Sequence, residues 1–417
     1  MILLSAKQTG PTFWQIITGH RAVVAYIAVL LCALFALMLL FIIRSVRDAQ
    51  AKEKEKRLKK EKRRFSRLNE LDTAEKKHIS FDDNISLSEL CDKFRDFASS
   101  QMGLYYEPET VRAFVASLAV SRFVIMQGIS GTGKTSLPFA FGKFLKHDAT
   151  IVPVQPSWKD RTDMLGYYNE FTGKFTETDL LYDLYGANTD DRIYITVLDE
   201  MNISRVEYYF AEFLSVLELP ELASRKIEVV SDARVGDPKL LEKGKLTVPD
   251  NVFFVGTANN DDSTLSISDK VYDRAMVIEL VSRAKPFSAP HTEPVSISYT
   301  YLQKLCDQAV SDYETDESIR QKLEQTDAYL SDHLQITFGN RVMRQINKFL
   351  PVYRACGGTE YQAIDLILSK KVLRKLETQN PVYVGSEAEG LISAIERIFG
   401  VGKMPDSVSY LKKFIRI

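Results

Sequence analysis

The feature that leaves this chain least freedom is a short run, Gly128-Ile129-Ser130-Gly131-Thr132-Gly133-Lys134-Thr135, which matches G-x-x-x-x-G-K-[ST]. Its glycines let the backbone curl so that N–H groups converge on phosphate oxygens. Lys134 sets an ammonium beside the β- and γ-phosphates, and the Thr135 hydroxyl is a ligand for Mg²⁺. The apolar stretch Arg122–Gln127 (RFVIMQ) reads as a strand entering the loop. The residues from Lys134 to about Leu145 read as a helix leaving it, whose N-terminal dipole adds to anion binding. Strand, loop and helix in that order call for a parallel α/β sheet with the loop at the strand's C-terminal edge. Gly128, Ile129, Ser130, Gly131, Thr132, Gly133, Lys134, Thr135 and Ser136 are the expected nucleotide contacts.

A second apolar run, Ile193–Leu198 (IYITVL), ends in Asp199 and Glu200. A strand buried in a parallel sheet is continuously apolar and delivers its polar residues at the ligand-bearing edge. Asp199 is therefore expected to hold Mg²⁺, through water, and Glu200 to polarise an attacking water. A third strand, Val252–Thr257, runs into Ala258-Asn259-Asn260. An amide there can sit between the carboxylates and the γ-phosphate. Asn259 is assigned that sensor role, with Asn260 as the alternative. A further strand, Ala275–Leu280, follows Asp273-Arg274.

Upstream, Ala22–Ile43 carries no charge, proline or glycine. As a helix it is roughly 33 Å long, enough to cross a hydrocarbon core. A cleaved signal peptide is excluded by the length of the run and by the basic residues that follow it where a small-residue cleavage site would stand. From Arg44 to Arg67 there are twelve Lys/Arg against four Asp/Glu, a local +8 within a chain of net −1. Only Lys7 and Arg21 are basic before the helix, so the positive-inside rule puts the N-terminus outside and everything after Arg44 in the cytoplasm. The expectation is a single-pass protein of the cell membrane, with the Lys/Glu-rich stretch after the span as a solvated helical stalk that also touches anionic lipid. The rest of the chain is mildly acidic, which argues against a dedicated nucleic-acid surface. Four scattered cysteines and five scattered histidines form neither a disulfide framework nor a zinc site.

Taken together, GISGTGKT, VQPSWKDRTDMLGYYNEFTGKF, LDEMNISRVEYYFAEFLSVLE, GTANNDDSTLSISDKVYDRA and FGNRVMRQI resemble the AAA+ superfamily, and within it the McrB-like motor subunits. MoxR-type ATPases share the same order of motifs. The resemblance runs from about Glu107 to the C-terminus. It implies a five-stranded parallel sheet flanked by helices, then a helical lid, and a homo-oligomer, usually a ring of six, with nucleotide between neighbours. By position, Arg274 resembles the arginine finger offered to a neighbour's γ-phosphate. Arg341 resembles the second sensor on the lid, with Arg344 as fallback. ATP is the expected nucleotide. GTP is not excluded but is put in doubt, because the run Asn259-Asn260-Asp261-Asp262 differs from the Asn-Thr-x-Asp of the McrB GTPase. The membrane helix and stalk are expected to take the place of that family's DNA-reading domain. No nuclease motif is visible, so cleavage would have to come from a partner nuclease or effector.

The resulting domain expectation is an external segment 1–21, a span 22–43, a basic stalk 44–80, a P-loop domain 81–283, a linker 284–298 rich in proline, and a lid 299–417. Gly166–Phe175 and Lys226–Val248 each read as a hairpin. Tyr167 and Tyr168, on the first, either grip a nucleic-acid or protein substrate or simply pack on the surface. Three functions compete: a membrane-anchored ATPase moving a partner or substrate, as in McrB-like defence; a MoxR-like chaperone remodelling membrane-proximal proteins; and a small-molecule kinase. The carboxylate pair, the sensor strand and the lid speak against the kinase.

Overall fold

The structure is a computed structural model that describes residues 13–75, 78–259 and 264–415. The chain divides into two units, Met1–Arg64 and Phe65–Ile417. Asn260 and the aspartates after it, Lys7, and the first twelve residues of the expected external segment lie outside the described residues.

The first unit is one α-helix, Phe13–Lys62. Span and stalk are thus continuous, roughly 75 Å of helix at 1.5 Å per residue. The helix is long and apolar enough over Ala25–Gln50 to cross a membrane, by length and composition, and its described side chains there are exposed.

Among the described residues of the second unit, nine strands form three sheets. In chain order they are β1 (Phe123–Gly128), β2 (Thr150–Pro153), β3 (Gly166–Asn169), β4 (Lys174–Glu177), β5 (Tyr194–Asp199), β6 (Lys226–Glu228), β7 (Lys245–Thr247), β8 (Val252–Asn259) and β9 (Met276–Leu280). The main sheet has the order β2-β5-β8-β1-β9, every pair parallel. β3–β4 and β6–β7 are the two expected antiparallel hairpins. Alternate side chains of a strand face opposite ways, and β1 divides accordingly. Val124 and Met126 enter one core with the helices Leu87–Met102, Pro108–Val120 and Ser136–Phe144 and with the lid. Phe123 and Ile125 enter the other, with Phe210, Phe213 and Phe254. Pro108 occupies the first turn of its helix, where its missing N–H costs nothing.

Residues 281–298 contain no helix or strand, yet they are fastened to the sheet unit: Val295 N donates to Phe144 O at 2.8 Å and Tyr299 N to Asp191 O at 2.8 Å. The lid follows with the helices Tyr299–Asp312, Glu317–Leu334, Gly339–Ala355, Glu360–Ile367, Pro381–Phe399 and Pro405–Ile415. The stripe Val342, Ile346, Phe349 and Tyr353 is buried against Val111 and Phe114. Between Ile367 and Pro381 the helix is not continued as an α-helix; a π-turn over Leu368–Val372 passes into a 3₁₀ stretch, Leu373–Thr378.

Residues just after the long helix depart from a solvated stalk. Phe65 and Leu68 are buried, and the Phe65 ring stacks on Phe175 of β4 at 4.7 Å. Both Glu177 carboxylate oxygens accept from the first turn of the helix Arg67–Leu71, from Ser66 N, Arg67 N and Leu68 N at 2.8–3.0 Å. Asp72 accepts from Tyr185 Oη at 2.6 Å and Lys239 N at 2.7 Å. Residues 65–72 are a strap across both hairpin regions. Two isolated apolar residues within a charged run carry no periodic signal, so their partners, more than a hundred residues away, were invisible.

Candidate nucleotide site

Register builds the site. In the β1–β8 pairing Gly128 stands opposite Asn259, and in the β5–β8 pairing Leu198 stands opposite Gly256. Because β8 lies between β1 and β5, its tip falls between the phosphate loop and the carboxylates. Gly128 cannot carry a side chain: a Cβ there would lie 2.3 Å from Leu280 O on β9. Gly133 turns the loop at φ +100°, a left-handed setting that costs a side-chain-bearing residue but not glycine.

Lys134 is buried inside the loop, its Nζ donating to Gly128 O at 2.9 Å and Ile129 O at 2.8 Å. Thr135 Oγ1 donates to Asp199 Oδ1 at 2.7 Å, joining the loop to the β5 tip. Thr257 Oγ1 donates to the same oxygen at 2.9 Å and accepts from Glu200 N at 2.8 Å. That second bond helps hold Glu200 at φ +52°, an uncommon setting for a residue with a side chain. Glu200 itself is exposed to the cavity. Asn202 clips the next turn to β8, its amide donating to Asn259 O at 2.9 Å and its oxygen accepting from Asn259 N at 3.3 Å. The Asn259 side-chain oxygen is buried and has no hydrogen-bond partner among the described residues.

The loop, Asp199, Glu200, Thr257 and Asn259 line one cavity of about 690 Å³, within the range of small-molecule sites. Its far wall is Gly103–Tyr106 together with Arg283, Ala284 and Pro286. Burial pushes the Tyr106 phenol up to about 12, so it is a neutral wall. Arg283 Nε donates to Gly131 O at 2.6 Å.

The structure thus brings together Gly128–Ser136, Asp199, Glu200 and Asn259. It does not bring Arg274 or Arg341 to them. Both pair with Glu218, at 3.2 Å and 2.8 Å, in a separate cavity of about 410 Å³ that Arg344 also lines. Sequence reasoning passed over Thr257, Asn202, Tyr106 and Arg283. Thr257 is an ordinary strand residue until the register of β5 and β8 is known, and Tyr106 and Arg283 lie in segments without periodicity.

The residues fit a Mg²⁺–nucleotide. The loop is shaped by glycines, a buried amide oxygen lacks a partner among the described residues, and a hydroxyl and a carboxylate meet at the loop's end. Among the described residues no cluster of three or more His, Cys, Asp or Glu is gathered for a metal. A Mg²⁺ held by Thr135 and Asp199 would therefore take its other ligands from phosphate and water.

Fold and site together define an α/β P-loop domain, a five-stranded parallel sheet with the phosphate loop at its C-terminal edge, followed by a helical C-terminal region. Residues 294–416 match a family described as a domain of unknown function, DUF8727. No curated protein matches the sequence. Among solved structures, the chain is similar to a candidate ATPase from Cytophaga hutchinsonii, with 12% identity, a TM-score of 0.45, and coverage of 74% of this chain and 92% of that one. It is also similar to a full-length MCM homolog from Methanopyrus kandleri, with 12% identity, a TM-score of 0.37, and coverage of 69% and 61%. At that distance neither likeness adds to what the site itself carries.

Proposed function

We propose that the chain is a membrane-anchored, oligomeric, Mg²⁺-dependent ATPase that converts hydrolysis into movement or remodelling of a partner. The carrying observation is the meeting of Thr135 with Asp199 at the end of the phosphate loop, with Glu200 fixed beside them. When bound, Mg²⁺ supplies charge neutralisation at the phosphates. The protein's own groups do the rest. The loop amides and Lys134 bind the phosphates, Glu200 accepts hydrogen-bonded water and draws off its proton, and the Asn259 amide orients that water.

Arg274 and Arg341 lie in the other cavity, so neither faces the nucleotide site of its own chain. Their pairing with one carboxylate, Glu218, favours both being offered together to the nucleotide of a neighbouring subunit. A ring, usually of six, would supply that neighbour. The membrane helix and the McrB-like resemblance of the motifs support an anchored motor. MoxR-like remodelling of a membrane-proximal protein is the second reading, favoured by the apolar side chains exposed on the hairpin loops, Phe171 and Val235.

The test is paired. Lys134→Ala should remove most nucleotide binding, because the ammonium acts on ground-state phosphate. Glu200→Gln should bind ATP and release no phosphate, because it acts on the attacking water. Nucleotide binding and phosphate release are measured on both. Wild-type turnover by Glu200→Gln sinks the assignment.

A further inference from the structure

The turn that carries Arg274 is held from the lid. Its three successive carbonyls each have a fixed donor. Lys371 Nζ donates to Asp273 O at 3.2 Å and Ala275 O at 2.7 Å, while Ser121 Oγ donates to Arg274 O at 3.0 Å. The third Lys371 bond goes to Gln345 Oε1 at 2.6 Å, on the lid helix Gly339–Ala355. The buried Lys371 Nζ thus meets three oxygens, two of them flanking Arg274.

Neighbouring cations of the same π and 3₁₀ segment extend the grip. Lys370 pairs with Glu279 at the end of β9. The Arg374 guanidinium lies 3.1 Å from the centre of the Tyr272 ring and donates to Asp269 Oδ1 at 3.3 Å. Tyr272 in turn donates from its hydroxyl to Gln127 Oε1 at 2.9 Å, the residue before Gly128. A continuous path of contacts therefore runs from the strand under the phosphate loop, through Tyr272, to the lid and back to the backbone on either side of Arg274. Burying an ammonium is costly unless every donor is matched. A lysine used here only to fill space would be replaced by an apolar residue without loss.

We infer that Lys371 is a positioning residue, which sets the direction of Arg274 from the lid so that its guanidinium is ready for a neighbour's nucleotide. This rests on the reading of Arg274 as a trans-acting group. A positioning residue acts on turnover and leaves ground-state affinity alone. A misplacement of about 1 Å can cost on the order of 10²-fold.

The experiment uses the full-length protein in detergent, with Mg²⁺–ATP as substrate and a fluorescent ATP analogue to measure affinity. Lys371→Met should fold, bind the analogue within about twofold of wild type, and lose on the order of 10²-fold in kcat with KM little changed. Lys371→Arg should recover part of that loss. The double variant Lys371→Met/Arg274→Ala should be no slower than Arg274→Ala alone, since both remove the same cation from the same place. If Lys371→Met fails to fold, Arg374→Met carries the same readings from the other end of the segment. Wild-type kcat in Lys371→Met beside an inactive Arg274→Ala overturns the latch and leaves the finger standing. Wild-type kcat in Arg274→Ala overturns the finger, and the latch falls with it. Additive losses in the double variant, or a loss in affinity matching that in kcat, would make Lys371 a packing residue and overturn the inference.

Discussion

At the scale of single residues, Thr257 connects the two carboxylates. One hydroxyl donates to Asp199 and accepts from the Glu200 backbone, and the residue is buried. Thr257→Val keeps the shape and deletes the hydroxyl. The Glu200 N–H is then left without its acceptor, a loss of about 1–3 kcal/mol when such a group stays buried. Thermal unfolding of the variant should shift down by a few degrees. Its kcat should fall by on the order of tenfold, because the left-handed setting of Glu200 loses its restraint. An unchanged melting point together with unchanged kcat would mean that the Glu200 backbone is held by the turn after it alone. Lys134 and Thr135 were legible because phosphate chemistry forces their types at fixed spacing along one strand–loop–helix, and Asp199 and Glu200 because they end a continuously apolar strand. Thr257 was not, because its role is set by which strand lies beside which.

At the scale of elements, the two hairpins separate side chains that the sequence leaves equivalent. Tyr167 and Tyr168 are adjacent, but alternation along β3 turns them to opposite faces. Tyr168 is half-buried and accepts from Arg234 Nη1 at 2.9 Å, whose guanidinium also lies 4.8 Å from its ring centre. It joins the β3–β4 hairpin to the loop before β7. Tyr167 is exposed, and Phe171, in a turn closed by Phe171 N and Thr172 N donating to Asn169 Oδ1, is fully exposed at the tip. Exposed aromatic groups can stack on bases or pack on an extended polypeptide. Tyr167→Ala with Phe171→Ala should leave basal hydrolysis and the oligomer intact while removing stimulation by an added substrate. Tyr168→Ala should instead loosen the hairpin pair, seen as faster proteolysis of residues 231–239. Full stimulation in the double variant would take the tip out of the mechanism. The hairpins themselves were readable from turn glycines and alternation. The short edge strand β2 was not bounded in advance, because four residues open to solvent on alternate sides carry too little pattern.

At the scale of the whole molecule, composition marks an apolar helix long enough to cross a membrane and motifs mark a nucleotide-binding unit, but the border between them lies where composition changes least. The +8 stretch suggests that everything up to residue 80 is stalk, whereas residues 65–72 belong to the folded unit. Removing residues 1–43 deletes the apolar run and keeps the strap, and the product should be soluble and hydrolyse ATP. Removing residues 1–80 also deletes Phe65 and Leu68, which uncovers Phe175 on β4 and leaves the Glu177 carboxylate without the amides it accepts from. Losing a buried phenylalanine costs about 3–5 kcal/mol by itself, a large share of the 5–15 kcal/mol that holds a typical domain folded. The shorter product should therefore aggregate, or melt well below the longer one, with the difference read by thermal unfolding and size-exclusion chromatography. Sedimentation of the full-length protein with membranes, against a soluble 44–417 product, tests the anchor in the same preparation. Equal stability of the 44–417 and 81–417 products would show that the strap is dispensable to the fold. Release of the intact chain from membranes by salt alone would show that the long helix does not span them, since a spanning helix is held by its apolar run while a surface-bound basic stretch is held by charge.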